Sequence, residues 1–262
     1  MSGSNNNSNP LFTNPVTLDL PWQGECQTEC PYGESGQVFD ITYPETDDRP
    51  HAAVLIVTGY SDTGFKAMTG MQLREIAQTR SWARLLAASG VAAITYVNLN
   101  PVLDVMKLLS HLQDNAADLR LDAERLGVLS FSGNVPNALH FLEVSESIRC
   151  AALCYGFMRD GEEDRRVSEA AAQFRFVMPE GTGAVLAQEL ALLLVRAGRD
   201  QFKAINASID RFVLTALTEN RDLELINYPE GVHAFDVLDD SQSSQQLVQR
   251  ILTFFRFRLG IA

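Results

Sequence analysis

The 262-residue chain, 46% hydrophobic and 21% charged, has the length and balance of a globular protein that buries a sizeable core. Its net charge of −12 argues against a nucleic-acid partner, because affinity for a phosphate backbone rests on Lys and Arg contacts; it suits a neutral or weakly charged small molecule. No run approaches the ~20 apolar residues of a helical membrane span, so no membrane partner is expected.

Residues 1–10 are rich in Ser and Asn and lack the basic and apolar regions of a secretory signal. The expectation is a flexible tail over 1–14, a single domain over 15–262, and cytoplasmic residence. Residues 15–45 look irregular or hairpin-like, and the alternation in Gln37-Val38-Phe39-Asp40-Ile41-Thr42-Tyr43 suits an antiparallel edge to a larger sheet. Cys26 and Cys30 are expected in a loop of this region. Two thiols without a companion His or Cys cluster make a poor metal site, and a reducing compartment disfavours a bridge between them. The acidic stretch Glu45-Thr46-Asp47-Asp48-Arg49-Pro50 reads as a turn.

A rhythm begins at Ala52. Short apolar runs recur at 52–57, 91–97, 126–131, 150–155, 190–197 and 223–228, each with the length and near-continuous apolarity of a strand buried on both faces. Cys150 and Cys154 fall in one of them, where cysteine acts as a small apolar residue. Helical spacing of apolar residues marks 72–89, 102–119, 204–218 and 244–258. Strands alternating with helices predict a mostly parallel sheet flanked by helices on both faces, joined by right-handed crossovers. Residues 157–188 break the rhythm, with charge concentrated at 159–166 and a loose helical pattern over 167–176. A connection of that length is a short lid-like insertion or a solvated surface helix.

The stretch Leu126-Gly127-Val128-Leu129-Ser130-Phe131-Ser132-Gly133-Asn134-Val135-Pro136 passes from an apolar strand into small polar residues and then a helix start. Ser132 at the junction suits a nucleophile elbow, which lifts the serine Oγ above the sheet and aims the helix-start N–H groups at a reacting carbonyl. The usual G-x-S-x-G pattern is Ser130-Phe131-Ser132-Gly133-Asn134 here, with departures at both ends.

Ligands of open α/β sheets bind at the carboxyl ends of the strands. Ser132 follows the run 126–131, Asp200 follows 190–197, and His233 follows 223–228, so all three should reach one edge of the sheet. The residue types suit nucleophilic acyl transfer: a serine hydroxyl needs a neighbouring base, histidine can take its proton and return it, and a carboxylate orients the imidazole. Among the other histidines, His51 precedes a strand on the opposite side, and His111 and His140 fall in helical patterns. Asp236, Asp239 and Asp164 compete with Asp200, but Asp236 stands only three residues past His233 and is expected to turn or cap that loop. An oxyanion hole would take one N–H from Gly133 and one from Tyr60, in the loop Thr58-Gly59-Tyr60-Ser61, with Gly59 permitting the tight turn.

With these motifs the chain resembles the α/β-hydrolase superfamily over about residues 35–258, most closely its dienelactone hydrolase-like and small esterase members. The resemblance carries the nucleophile to Ser132, the acid to Asp200 and the base to His233, in the chain order Ser, Asp, His of that superfamily. Dienelactone hydrolases proper use cysteine where this chain has Ser132, and the histidine-glycine common at the oxyanion loop is Thr58-Gly59 here. The expected activity is hydrolysis of small carboxylic esters, lactones and thioesters included, through an acyl-enzyme, with no metal or organic cofactor implied. A peptidase or acyltransferase could use the same three residues, and a binding protein could keep the fold without the chemistry. A homo-oligomer is left open.

Overall fold

The computed structural model describes residues 9–33, 35–45, 47, 49–180 and 186–261. Its centre is an eight-stranded sheet in the order β1-β2-β4-β3-β5-β6-β7-β8. The strands are β1 (Cys26–Tyr32), β2 (Gln37–Thr42), β3 (His51–Ile56), β4 (Ala92–Tyr96), β5 (Leu121–Phe131), β6 (Ile148–Cys154), β7 (Ala191–Ala197) and β8 (Leu223–Tyr228). β1 and β2 pair antiparallel, β2 pairs antiparallel with β4, and every pairing from β4 to β8 is parallel. The six apolar runs of the sequence are the six parallel strands, and the alternating stretch at 37–43 is the antiparallel neighbour.

The continuous apolarity of these runs follows from burial on two faces. Along β3, Ala53 and Leu55 enter one core while Ala52, Val54 and Ile56 enter the other; along β5, Val128 and Leu129 divide in the same way. Side chains alternate across a strand, so a sheet covered on both sides needs an apolar residue at every step. Helices α4 (Pro101–Asp114), α5 (Val135–Val144) and α7 (Lys203–Thr218) cover the first face. Helices α3 (Ala77–Ala88) and α9 (Gln242–Arg258), with the short α8 (Phe235–Leu238), cover the second.

Several elements differ from the sequence expectation. Cys26 and Cys30 are not in a loop but open and thread β1, whose bulge between Gln27 and Cys30 hides their alternation; both are free thiols. Of the tail expected over 1–14, residues 1–8 lie outside the described residues, whereas Pro10–Thr13 forms a short helix, α1, capped by the Asn9 side chain. Phe12 in that helix meets Phe65 edge-on at 5.5 Å, and Asn14 donates to the Val237 carbonyl, so the segment is docked. Helix α2 (Asp62–Thr69) has no counterpart in the apolar spacing; it is held by Asp62, which accepts the N–H groups of Leu73 and Asn98, and ends at Gly70 with φ 81°. Burial pushes the Asp62 carboxyl above its ordinary range, although those two N–H groups pull it down.

The insertion expected over 157–188 contains α6 (Arg166–Phe174), with residues 181–185 outside the described residues. Several of its charges are locally satisfied. Asp160 accepts the N–H groups of Val167 and Ser168 at the start of α6, and Asp164 pairs with Arg166 and Arg211. No helix among the described residues is long and apolar enough to cross a membrane.

Sheet order decides where a ligand can enter. From β3 the chain steps outward to β4 and then returns to β5 on the other side, so the connections leave β3 and β5 in opposite directions. A crevice opens at the carboxyl ends of strands flanking such a reversal. The loop after β3 and the turn after β5 both lie there.

Candidate active site

β5 ends at Phe131, and Ser132 takes φ 52° before a single 3₁₀ turn, Ser132–Asn134, runs into α5. A left-handed serine is strained by about 1–3 kcal/mol and persists only where its surroundings fix it. They do so from three sides. Ser130, fully buried, donates its hydroxyl to the Val57 carbonyl at 3.0 Å, tying the strand below the turn to β3. The Ser132 carbonyl accepts the Phe157 N–H at 3.2 Å, and Gly156 lies so close to Val135 that an added Cβ would overlap its side chain. Ser130 thus replaces the first glycine of the usual pattern without crowding, because its hydroxyl has a backbone acceptor.

The loops after β7 and β8 interlock. Gly198 donates to the Tyr228 carbonyl at 2.7 Å and Arg199 to the Gly231 carbonyl at 2.8 Å, and a Cβ at Gly198 would stand 2.7 Å from the Pro229 Cα. This close approach of two backbones brings Asp200 to His233. The Asp200 side chain is wholly buried; its Oδ1 accepts the Phe202 N–H at 2.8 Å, and its Oδ2 lies 2.7 Å from His233 Nδ1. His233 Nε2 lies 2.9 Å from Ser132 Oγ. Ser132, His233 and Asp200, the residues singled out in the sequence, therefore form one hydrogen-bonded row at the carboxyl edge of the sheet.

Two aromatic rings hold the imidazole. Tyr155 and Phe202 meet His233 edge-on, with centroids 5.1 Å and 5.0 Å away and interplanar angles of 70° and 81°. Phe202 follows from the loop that carries Asp200, and Tyr155, at φ 35°, closes β6.

The competing carboxylates have other tasks. Asp236 is not a loop turn or cap in the simple sense expected. It is buried and accepts hydrogen bonds from Trp82 Nε1 at 2.8 Å, Gln78 Nε2 at 2.9 Å and the Tyr155 hydroxyl at 2.7 Å, joining α3 to the wall behind His233. Asp239 accepts from the Tyr228 hydroxyl and the Ser241 N–H, and Asp164 belongs to the insertion. His51 opens β3 at the far end of the sheet and pairs with Asp47, while His111 and His140 lie on α4 and α5.

Gly59 and Tyr60 follow β3 at the rim. The Gly59 N–H donates to Asn134 Oδ1 at 2.7 Å, and the Gly59 carbonyl accepts the Val177 N–H at 2.8 Å. The Tyr60 ring packs between Phe65 and Phe176, and burial pushes its phenol up to about 12. Gly133 has no room for a side chain, since a Cβ would stand 2.5 Å from the Tyr60 hydroxyl and 2.7 Å from Phe176 Cδ1. Phe176 in turn stacks on Phe157, and Phe174 meets Phe202, so the insertion forms a roof of aromatic rings from Tyr60 to His233. Among the described residues, no group of three His, Cys, Asp or Glu is arranged to hold a metal ion.

Compared by sequence, the chain matches no family model and no curated protein. Compared by structure, it matches a hyperthermophilic esterase from the archaeon Pyrobaculum calidifontis at TM-score 0.70 and 15% identity, covering 93% of this chain and 88% of that one. A thermostable carboxylesterase cloned from a metagenomic library matches at TM-score 0.70 and 14% identity, over 93% and 92% of the two chains. An α/β hydrolase from a Medee basin deep-sea metagenome library matches at TM-score 0.66 and 17% identity, over 91% of this chain and 100% of that one. The chain has the α/β-hydrolase fold. Within that fold, the turn at Ser132 follows β5 and the loop Thr58-Gly59-Tyr60 follows β3.

Sequence reasoning did not find Asn134, Phe176, Tyr155 or Phe202 as parts of the site. Asn134 had a signal, as the residue standing where the pattern expects glycine. The aromatic residues had none, because a buried ring in a core and a buried ring over a nucleophile look alike in sequence.

Proposed function

We propose that this protein is a serine hydrolase of small carboxylic esters, working through Ser132, His233 and Asp200 and an acyl-enzyme intermediate. The observation that carries this reading is the row Ser132 Oγ–His233 Nε2–His233 Nδ1–Asp200 Oδ2, at 2.9 Å and 2.7 Å, on a left-handed serine at the end of β5. Fold alone would not support it, since one fold hosts many activities.

In this mechanism His233 Nε2 takes the Ser132 proton as Oγ attacks the ester carbonyl. Asp200 accepts the Nδ1–H, fixing the tautomer and stabilising the imidazolium. The N–H groups of Gly133 and Tyr60 hold the oxyanion, each contributing about 3 kcal/mol at the transition state. His233 then returns the proton to the leaving alcohol, and a water activated by the same imidazole releases the acid. No step calls on a metal or an organic cofactor. Lactones and thioesters present the same carbonyl chemistry and fall within the proposal. The dienelactone hydrolase-like resemblance bears on this finer choice of substrate, and Ser132 in place of cysteine favours the small-esterase reading.

A fluorophosphonate probe reacts covalently with an activated serine. The proposal expects folded protein to label at Ser132, as read by peptide mass, and to lose labelling in His233→Ala. Absence of labelling in folded wild-type protein would support a binding role instead.

A further inference from the structure

We infer that Asn134 is a positioning residue for the oxyanion donors, an inference that rests on the serine hydrolase reading. The two proposed donors sit on separate pieces of chain: Gly133 on the turn after β5, Tyr60 on the loop after β3. Their mutual placement must be held within a fraction of an ångström for both to reach one oxygen, because such donors act by preorganisation. Asn137 Nδ2 donates to the Thr58 carbonyl at 2.8 Å, and the Asn134 side chain links the two pieces at the residues beside the donors themselves. Asn134 Oδ1 accepts the Gly59 N–H at 2.7 Å, one residue before Tyr60 and one residue after Gly133.

Backbone contact makes the link rigid. A Cβ at Gly59 would lie 2.8 Å from the Asn134 Cα and 2.8 Å from the Gly133 carbonyl oxygen, so the two loops touch without a side chain between them. The Gly59 carbonyl is held from the opposite side by the Val177 N–H at 2.8 Å, in the insertion. Gly59 is thus fixed at both its polar atoms, one by the elbow and one by the roof. Its own N–H is occupied, which leaves the next N–H, that of Tyr60, as the donor this loop offers to substrate. The departure from the second glycine of G-x-S-x-G is then a gain in order: the amide supplies an acceptor that a glycine at 134 lacks.

The test uses the full chain, with Asn134→Ala and Asn134→Gly assayed on p-nitrophenyl acetate beside wild type. Both variants remove the acceptor, and the second restores the common pattern. The inference expects kcat to fall on the order of tenfold to a hundredfold with KM within about twofold, the signature of an interaction used in the transition state. It also expects affinity for a trifluoromethyl ketone, whose adduct with serine carries an oxyanion, to fall in parallel with kcat. Thermal unfolding of each variant is followed to confirm a folded chain. Active wild type with unchanged kcat in either folded variant overturns this inference and leaves the hydrolase reading standing. So does a loss confined to KM. Wild type that neither labels with fluorophosphonate nor hydrolyses the ester overturns both.

Discussion

Tyr155 meets His233 edge-on, ring centroids 5.1 Å apart, and donates its hydroxyl proton to Asp236 Oδ1 at 2.7 Å. The ring that walls the imidazole is thereby anchored to a buried carboxylate only three positions along the chain from that imidazole. Trp82 and Gln78 of α3 donate to the same carboxylate, so the wall is fastened to the helix layer beneath. Phe202 closes the opposite side of the ring. The arrangement leaves His233 little freedom except along the line from Asp200 to Ser132.

Tyr155→Phe keeps the ring and removes one donor to Asp236. The expected loss is about 1–3 kcal/mol of stability, since a buried carboxylate oxygen loses a partner. Asp236→Ala strands three donors and should cost more. Urea unfolding curves of the two variants check the order, and kcat of Tyr155→Phe should stay within a few-fold of wild type.

Asp236 also predicts a pH dependence. Burial raises its carboxyl above the ordinary 3.8, although Trp82, Tyr155 and Gln78 donate to it. The folded chain therefore binds this proton more tightly than the unfolded chain. That contribution is fully present below pH 3.8 and is lost as pH rises through the raised value. In Asp236→Asn the group cannot ionise. The stability of wild type relative to this variant should fall as pH climbs from acid to neutral, and a difference that stays flat or grows would contradict the assignment.

Asp200→Asn separates the orienting role from the structural one. The amide oxygen can still accept the Phe202 N–H, so the loop should keep its shape. The tautomer control over His233 is lost, and kcat should drop on the order of a thousandfold or more with little change in melting temperature. A melting temperature that falls with kcat would mean that Asp200 serves the fold first.

Phe176 covers Gly133 and stacks on Phe157 at 5.1 Å. Trimming it to alanine opens space beside the nucleophile. Measured over p-nitrophenyl acetate, butyrate and octanoate, kcat/KM of Phe176→Ala should shift toward the longer acyl chains by roughly tenfold, the scale of a few methylenes in an apolar pocket. An unchanged profile would place the acyl group elsewhere.

Much of this architecture is written locally. The six parallel strands are legible because burial on both faces demands unbroken apolar runs, and the meeting of Ser132, Asp200 and His233 follows because each stands just past the carboxyl end of such a run. β1 was hidden because a bulge disturbs its alternation and much of it is exposed. α2 was hidden because its polar anchor, Asp62, is satisfied by N–H groups from residues 73 and 98, which no local pattern encodes. For the same reason Asp236 looked like a turn residue: its three donors come from positions 78, 82 and 155. The roof over the site depends on which rings fold back onto Gly133, a tertiary outcome with no periodicity of its own.

The hydrolase account is tested most directly by the turnover of p-nitrophenyl acetate by wild type and by Ser132→Ala, purified alike and shown to unfold at the same temperature. The account predicts steady hydrolysis by wild type and a variant at the buffer rate. A folded Ser132→Ala protein that retained wild-type turnover would contradict it.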